Sequence, residues 1–387
     1  MFNKKDMGQN ILRFGLLVYS FFAVLSISGM SAGLIFSLIG LSLVIVSQKN
    51  IFPQETSSDT KKVSFLILVF MGLVLVSTIV SYDFLSSIKR AVKFLGEIAI
   101  FFAVINLKDN NEKSFIRKLI DIILIVSVIH SIYGILQYFT GLNLTGTKDV
   151  EAFHRVKGFL DHWNSLGGLL GMVFPLMVLR TLYEKKAKFV IGSILILFCI
   201  FLTSTRGAWA GIVVSCFVIG ILSKQFRKIL YISIGIIFLV LAIPSTRTRV
   251  IKTFITQEPE RVYIWKTAFE MFEKRPFFGW GLDSLRKYVE EKTGQEFGHF
   301  HSHNIYLGML QEMGIFSFLT FCLIIFVTAK YLMNELKKSQ NISLKYTLLL
   351  GLFGGIVDIL VHGFFDFSLR AETGYLFWFF LGIIYSL

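Results

Sequence analysis

Long apolar runs alternate with short polar segments along most of the chain. Twelve of these runs come close to the roughly 20 residues that a helix needs to cross a bilayer. Their centres lie near Val18, Ile39, Val69, Ile98, Val126, Leu170, Leu195, Val214, Phe238, Ile315, Gly355 and Phe379. The pattern predicts an all-α integral membrane protein with about twelve transmembrane helices, in which residues 1–387 form a single polytopic domain.

The distribution of charge fits this interpretation. Hydrophobic residues make up 54% of the chain and charged residues only 17%. The formal net charge of +14 is compatible with nucleic-acid binding, but the positions of the charges argue against it. With both termini in the cytoplasm, 21 of the 39 Lys and Arg residues fall on the cytoplasmic side. This asymmetry follows the positive-inside rule, so we expect contact with membrane lipids and no nucleic-acid partner.

Two longer polar segments interrupt the alternation on the predicted outer side, residues 141–164 and 245–302. The second holds ten Lys and Arg residues, which the positive-inside rule does not explain. Apolar residues recur there at three- and four-residue spacing, namely Val262, Trp265, Ala268, Phe269 and Phe272. The spacing predicts an amphipathic helix from Pro259 to Lys274, and a second short helix is expected from Leu282 to Lys292. We therefore expect one long, helical extracytoplasmic loop.

His303 stands at the start of the apolar run centred near Ile315. A neutral imidazole accepts a proton from a sugar hydroxyl, as glycosyl transfer to an acceptor requires. The alternative is an interfacial histidine that only caps the helix. The surrounding outer arginines favour the catalytic interpretation, and we predict that His303 is the catalytic base.

Arg206 lies in the tight outer turn Ser-Thr-Arg-Gly-Ala-Trp, and Arg261 lies at the start of the predicted outer helix. A guanidinium group binds phosphate oxygens through paired hydrogen bonds and neutralises the charge that grows on a diphosphate leaving group. The simpler alternatives are a cation that reaches the interface from the end of a span and a solvated face of the loop helix. We predict that both arginines bind the diphosphate of a lipid-linked substrate.

Further polar residues beside the predicted spans are possible substrate ligands, namely Arg155, Lys157, Asn164, His301 and Asn304. The two cations are suited to phosphate, and Asn164 is suited to sugar hydroxyls. An ordinary polar loop explains the 154–164 segment equally well. Asp366 and Arg370 are expected to form a structural ion pair.

A metal or nucleotide site is not expected. His299, His301 and His303 alternate, so an extended backbone would turn them to one side, where they could hold a metal ion. Nothing requires an extended backbone there, and no further ligand is evident. The chain has no Gly-rich nucleotide loop and no Asp-x-Asp metal motif. We therefore expect neither a metal nor a cofactor.

Four motifs together resemble the O-antigen ligase and O-antigen polymerase superfamily. They are Ser-Thr-Arg-Gly-Ala-Trp (204–209), Arg-Val-Tyr-Ile-Trp-Lys-Thr-Ala (261–268), Pro-Phe-Phe-Gly-Trp-Gly (276–281) and His-Ser-His-Asn-Ile-Tyr-Leu (301–307). His303-Asn304, nine residues and then Gly314 is similar to the His-[Asn/Ser/Gln]-x9-Gly signature of the family. The segment 361–369 is similar to the C-terminal part of the family, so the resemblance covers roughly residues 155–385.

The resemblance implies a GT-C-type glycosyltransferase of the bacterial inner membrane with its active site facing the periplasm. Such an enzyme transfers a glycan from undecaprenyl diphosphate without metal or nucleotide. His303 would activate the acceptor hydroxyl, and Arg206 and Arg261 would hold the diphosphate. Direct displacement would invert the anomeric configuration.

The motifs do not separate the members of the superfamily. The compact length and the single dominant outer loop favour an O-antigen ligase that acts on lipid A–core. A polymerase that joins lipid-linked repeat units is the closest alternative. A transporter of lipid-linked sugar is expected to show inverted repeats, which we do not find. A membrane scaffold leaves the outer arginines and histidines unexplained.

Overall fold

A computed structural model describes residues 4–50, 56–107, 112–143, 155–244, 247–248, 259–294, 301–338, 342–366, 369 and 372–387. Within these residues the chain forms fourteen α-helices and a short 3₁₀ helix, Lys224–Phe226. The α-helices are α1 (Lys4–Phe22), α2 (Ile27–Gln48), α3 (Ser58–Ile79), α4 (Phe84–Ile105), α5 (Glu112–Thr140), α6 (Trp163–Glu184), α7 (Ala187–Thr203), α8 (Arg206–Leu222), α9 (Ile229–Ala242), α10 (Pro259–Lys274), α11 (Ser284–Thr293), α12 (Ile305–Lys338), α13 (Leu344–His362) and α14 (Glu372–Ser386). Parts of the segments 141–164 and 245–302, together with His299 and Arg370, lie outside the described residues.

All twelve predicted centres fall inside helices. Six helices among the described residues are long and apolar enough to cross a membrane, namely α2, α3, α5 (over Ser114–Thr140), α6, α12 and α13. Three others, α7, α8 and α9, are apolar but have only 10–17 residues. The chain is therefore a multi-pass helical membrane protein, and the count of about twelve spans stays a prediction.

Two long-range hydrogen bonds mark the two ends of the bundle. At one end, the Gln9 amide donates to the Asn106 carbonyl at 3.0 Å. At the other end, the backbone N–H of Tyr82 donates to the carbonyl of Trp280 at 2.8 Å. Because Tyr82 and Asn106 flank helix α4, the two hydrogen bonds lie at opposite ends. The end with Trp280 holds the segments predicted to face outward, and we call it the outer end.

Helix α12 bends at Gly314, where φ is +73° and ψ is −179°. The 276–281 segment fills the bend with its backbone. The N–H of Ile315 donates to the Pro276 carbonyl at 2.7 Å, and the N–H of Trp280 donates to the Gln311 carbonyl at 3.0 Å. The backbone groups that the bend releases are therefore satisfied by the outer loop.

Glycine is required on both sides of this contact. A Cβ atom at Gly314 would lie 2.2 Å from the carbonyl oxygen of Phe277, and one at Gly279 would lie 2.4 Å from the carbonyl oxygen of Glu312. Both glycines also have positive φ, which other residues adopt at a cost. The last glycine of the His303-Asn304-x9-Gly314 signature thus serves to hold the 276–281 motif.

Helices α10 and α11 form a small apolar cluster at the outer end, made of Ile264, Ala268, Met271, Trp280, Leu285 and Val289. The predicted bounds of α10 are confirmed, and the second predicted helix is found at Ser284–Thr293. The residues of the predicted apolar face of α10 differ in exposure, because Ala268 is buried whereas Trp265 is 38% exposed and Phe269 is 51% exposed. The buried face of α10 is the one that carries Ile264 and Met271, which pack against Trp280. The rings of Trp265 and Phe269 are left at the surface.

Candidate functional site

The carboxylate of Asp366 is the centre of a polar cluster at the outer end. Its Oδ1 lies 3.4 Å from Nδ1 of His303 and 3.6 Å from Nε2 of His301. Its Oδ2 accepts a hydrogen bond from the side-chain amide of Asn164 at 2.7 Å. Burial alone would raise the pKa of Asp366, but the hydrogen bonds from His301 and His303 hold this pKa well below its usual range. The cluster therefore contains an ionised carboxylate that orients three side chains.

His303 occupies a strained backbone position directly before α12. Its φ is +47°, in the left-handed region that residues with a side chain rarely adopt. Strain of this kind is retained where the surrounding structure enforces it, and it is common at functional sites. A carboxylate that faces Nδ1 favours the tautomer with the proton on that nitrogen, and in this tautomer Nε2 is a proton acceptor. The imidazole is 31% exposed, so a substrate can reach it.

Asn304 has a structural task. Its side-chain oxygen accepts hydrogen bonds from the backbone N–H groups of Tyr306 and Leu307, both at 3.0 Å, and so caps the first turn of α12. The N–H of Ile305 donates to the carbonyl of Gly363 at 2.8 Å. These bonds fix His303 beside the end of α13. They favour a capping role for Asn304 over the substrate contact considered from the sequence.

A chain of contacts connects the Asp366 cluster to Arg206. The hydroxyl of Thr205 donates to the side-chain oxygen of Asn164 at 3.3 Å, and Arg206 is the next residue and the first of α8. Gly207 lies against His362, one turn before Asp366, and a Cβ there would lie 2.3 Å from the imidazole. Because Gly207 has no side chain, the start of α8 can pack close to the Asp366 cluster. Arg206 itself is half-buried.

Arg155 supports the turn that carries Arg206. Its Nε and Nη2 atoms donate to the carbonyl oxygens of Thr203 and Ser204 at 3.1 and 3.2 Å. Its guanidinium lies over the ring of Trp163, 4.2 Å from the centroid. These contacts indicate that Arg155 shapes the site. Lys157 is half-buried two residues further on, in the turn closed by the N–H of Leu160.

Arg261 approaches from the outer loop. It is half-buried in the first turn of α10, one turn before Trp265. The indole N–H of Trp265 donates to the carbonyl of Ser302 at 2.9 Å, and Ser302 precedes His303. The helix that carries Arg261 is thereby anchored next to the imidazole. All eight residues singled out from the sequence lie at the outer end, and direct side-chain contacts join His301, His303 and Asn164 through Asp366.

The same cluster has ligand atoms for a metal ion. One atom each of His301, His303 and Asp366 lie within 4.8 Å of one another, a donor set of the kind that Zn²⁺ accepts. The sequence suggested His299, His301 and His303, of which His299 lies outside the described residues. Here the third ligand is a carboxylate from a distant segment. The histidines and Asp366 also satisfy one another without a metal.

Fold and site together define a class: a multi-pass helical membrane protein with a histidine–carboxylate pair and several arginines at one end of the bundle. Residues 191–322 match the model of a family described as O-antigen ligase. This match confirms the resemblance to the O-antigen ligase superfamily, and it includes Arg206, Arg261 and His303. A comparison with curated proteins gave no match.

Asp366 is the residue whose role the sequence did not reveal. It was expected to pair with Arg370, which lies outside the described residues, but its described contacts are with two histidines and an asparagine. It lies beyond the matched segment, 63 residues after His303. The available signal was its place in the 361–369 motif, four residues after His362.

Proposed function

We propose that this protein is an O-antigen ligase-type glycosyltransferase of the GT-C class in the bacterial inner membrane. It transfers a glycan from undecaprenyl diphosphate to a hydroxyl of lipid A–core or a similar acceptor on the periplasmic side. The observation that carries the proposal is the contact between His303 and Asp366 beside the first turn of α8, where Arg206 lies. The family match over residues 191–322 supports the same class of reaction.

The reaction follows from the tautomer that Asp366 selects. With the proton of His303 on Nδ1, Nε2 takes the proton of the acceptor hydroxyl as its oxygen attacks the anomeric carbon. The bond between that carbon and the diphosphate oxygen breaks, and its electron pair leaves with the diphosphate. Asp366 stabilises the imidazolium that results. One displacement from the opposite face inverts the anomeric configuration.

The arginines stabilise the negative charge on the diphosphate leaving group. A diphosphate gains negative charge as the bond breaks, and guanidinium groups that are already in place stabilise it. Arg206 and Arg261 supply this role in the proposal, and Arg155 holds the turn before Arg206. The energy for transfer is stored in the sugar–diphosphate bond, so the proposed mechanism uses no metal and no nucleotide.

Reconstitution with defined substrates tests the proposal. Purified protein in liposomes receives undecaprenyl-diphosphate glycan together with lipid A–core or with a second lipid-linked glycan. Transfer to lipid A–core supports a ligase, and transfer to the second glycan supports the alternative, a polymerase. Absence of any transfer by correctly folded protein, with either acceptor, would overturn the proposed function.

A further inference from the structure

An open groove lies beside His303 on the outer surface. Its lining comes from one face of α10, positions 265, 266, 269, 270 and 273, and from Leu307 of α12. Its volume is about 400 Å³, within the range of small-ligand sites, roughly 300–1,000 Å³. The candidate catalytic residues do not line it, so the groove lies beside the histidine–carboxylate cluster and outside it.

The groove ends close to the reacting imidazole. Trp265 lines it and donates to the carbonyl of Ser302, which is covalently joined to His303. Leu307 lies one helical turn beyond His303 on α12. A chain molecule bound along α10 would therefore lie beside the segment that carries His303.

The chemistry of the groove suits a saccharide. Trp265 and Phe269 are four residues apart on α10, and both rings are exposed, at 38% and 51%. The C–H face of a pyranose ring packs on such aromatic surfaces, while exposed Lys266 and Glu273 offer a donor and an acceptor to its hydroxyls. The hydrogen bond from the indole of Trp265 to the Ser302 carbonyl holds the Trp265 ring in a fixed orientation before the ligand binds.

The charges of the groove disfavour an anionic ligand. Its lining carries one Lys and two Glu side chains, in a chain whose net charge is +14. The carboxylate of Glu270 is held by the ammonium groups of Lys274 and Lys292 at 2.9 and 2.8 Å, so these cations are engaged. The arginines proposed to hold the diphosphate, Arg206 and Arg261, do not line the groove.

We infer that this groove is the subsite for the acceptor, and that the acceptor presents uncharged sugar units there. The inference rests on the proposed glycosyl transfer and narrows its acceptor to a neutral glycan chain. The accepting sugar then lies along positions 265–273 of α10, and the diphosphate lies with Arg206 and with Arg261, one turn before Trp265.

Direct binding tests the inference without catalysis. Saturation-transfer NMR on purified protein in nanodiscs, without donor, uses cellopentaose, chitopentaose and pentagalacturonate as probes. We expect saturable binding of at least one of the two neutral pentasaccharides and a weaker signal from the anionic one. Phe269→Ala is expected to weaken that binding about tenfold. The matched control is Phe277→Ala, which removes another exposed ring that is stacked on Phe316 outside the groove.

Kinetics separate this inference from the proposed function. With an active wild type, Phe269→Ala should raise the acceptor KM about tenfold and leave kcat and the donor KM near wild-type values. Equal kinetics in Phe269→Ala and Phe277→Ala would overturn the acceptor subsite and leave the transferase intact. Preference for pentagalacturonate, or binding of none of the three probes, would also overturn it. An inactive wild type that still binds neutral saccharide through Phe269 would instead refute the proposed function alone.

Discussion

At the scale of single residues, one carboxylate organises the site. Asp366 contacts Asn164 in the first turn of α6, and His301 and His303 in the segment before α12. An imidazole needs a partner on one nitrogen to define the proton on the other. The candidate base and its orienting group are therefore separable by mutation.

His303→Ala should lower glycan transfer by roughly 10²–10⁴-fold, the usual contribution of a general base. The variant should still bind the lipid-linked donor, because the arginines are unchanged. Transfer rates and donor binding in proteoliposomes provide the measurement. Turnover like that of the wild type would rule out His303 as the base.

Arg206→Lys should be nearly as impaired as Arg206→Ala. An ammonium group retains the charge but loses the two-pronged geometry that matches a phosphate. The comparison is made on kcat/KM for the donor. A lysine variant that works normally would show that Arg206 serves only to anchor the end of α8.

The depressed pKa of Asp366 predicts a pH-dependent contribution to stability. A carboxyl group whose pKa is lowered by folding stabilises the fold above its unfolded pKa, about 4, and loses this contribution as pH falls through the folded value. Asp366→Asn should therefore lower the melting temperature at pH 6, and the difference from wild type should shrink below pH 4. A constant difference across this range would contradict the assignment.

At the scale of elements, the outer loop and α12 form one interlocked unit. The 276–281 segment supplies the hydrogen bonds that α12 lacks at its bend. Apolar spacing predicted the bounds of α10 correctly, since helix length depends on local sequence. It did not predict which face is buried, because that depends on Trp280, which arrives from beyond the helix.

Gly314→Ala should destabilise this unit. The φ and ψ of Gly314 fall in a region that is nearly restricted to glycine and costs other residues about 1–3 kcal/mol. The added atom would also meet the Phe277 carbonyl at 2.2 Å. The melting temperature and the transfer rate should both fall. The control is Gly72→Ala in α3, where a Cβ meets nothing within 4 Å. Equal stability of the two variants would refute the interlock.

At the scale of the whole molecule, sequence periodicity located the helices but not the site. Twelve apolar centres lie in helices because lipid-facing segments carry their own signal. The contact between Asp366 and His303 joins residues 63 positions apart, and no local pattern encodes such a pairing. Only the 361–369 motif hinted at it.

The predicted orientation can be measured by cysteine labelling. On a Cys322→Ser background, which removes an exposed thiol, Lys287→Cys in α11 should react with a membrane-impermeant maleimide added outside the cell. Lys338→Cys at the end of α12 should react only after permeabilisation. Both parent lysines are exposed, at 42% and 72% of the side chain. Reversed labelling would place the site in the cytoplasm.

The backbone contact at the α12 bend also limits where the protein tolerates an inserted peptide. Residues 276–281 are hydrogen-bonded to α12 at both ends of the segment, through Pro276 and Gly281. A peptide inserted there would move Gly279 away from the backbone of Glu312. Insertions after Ala242 or after Gly294 would leave every one of those hydrogen bonds in place. These two junctions are suited to an epitope tag or a fluorescent reporter.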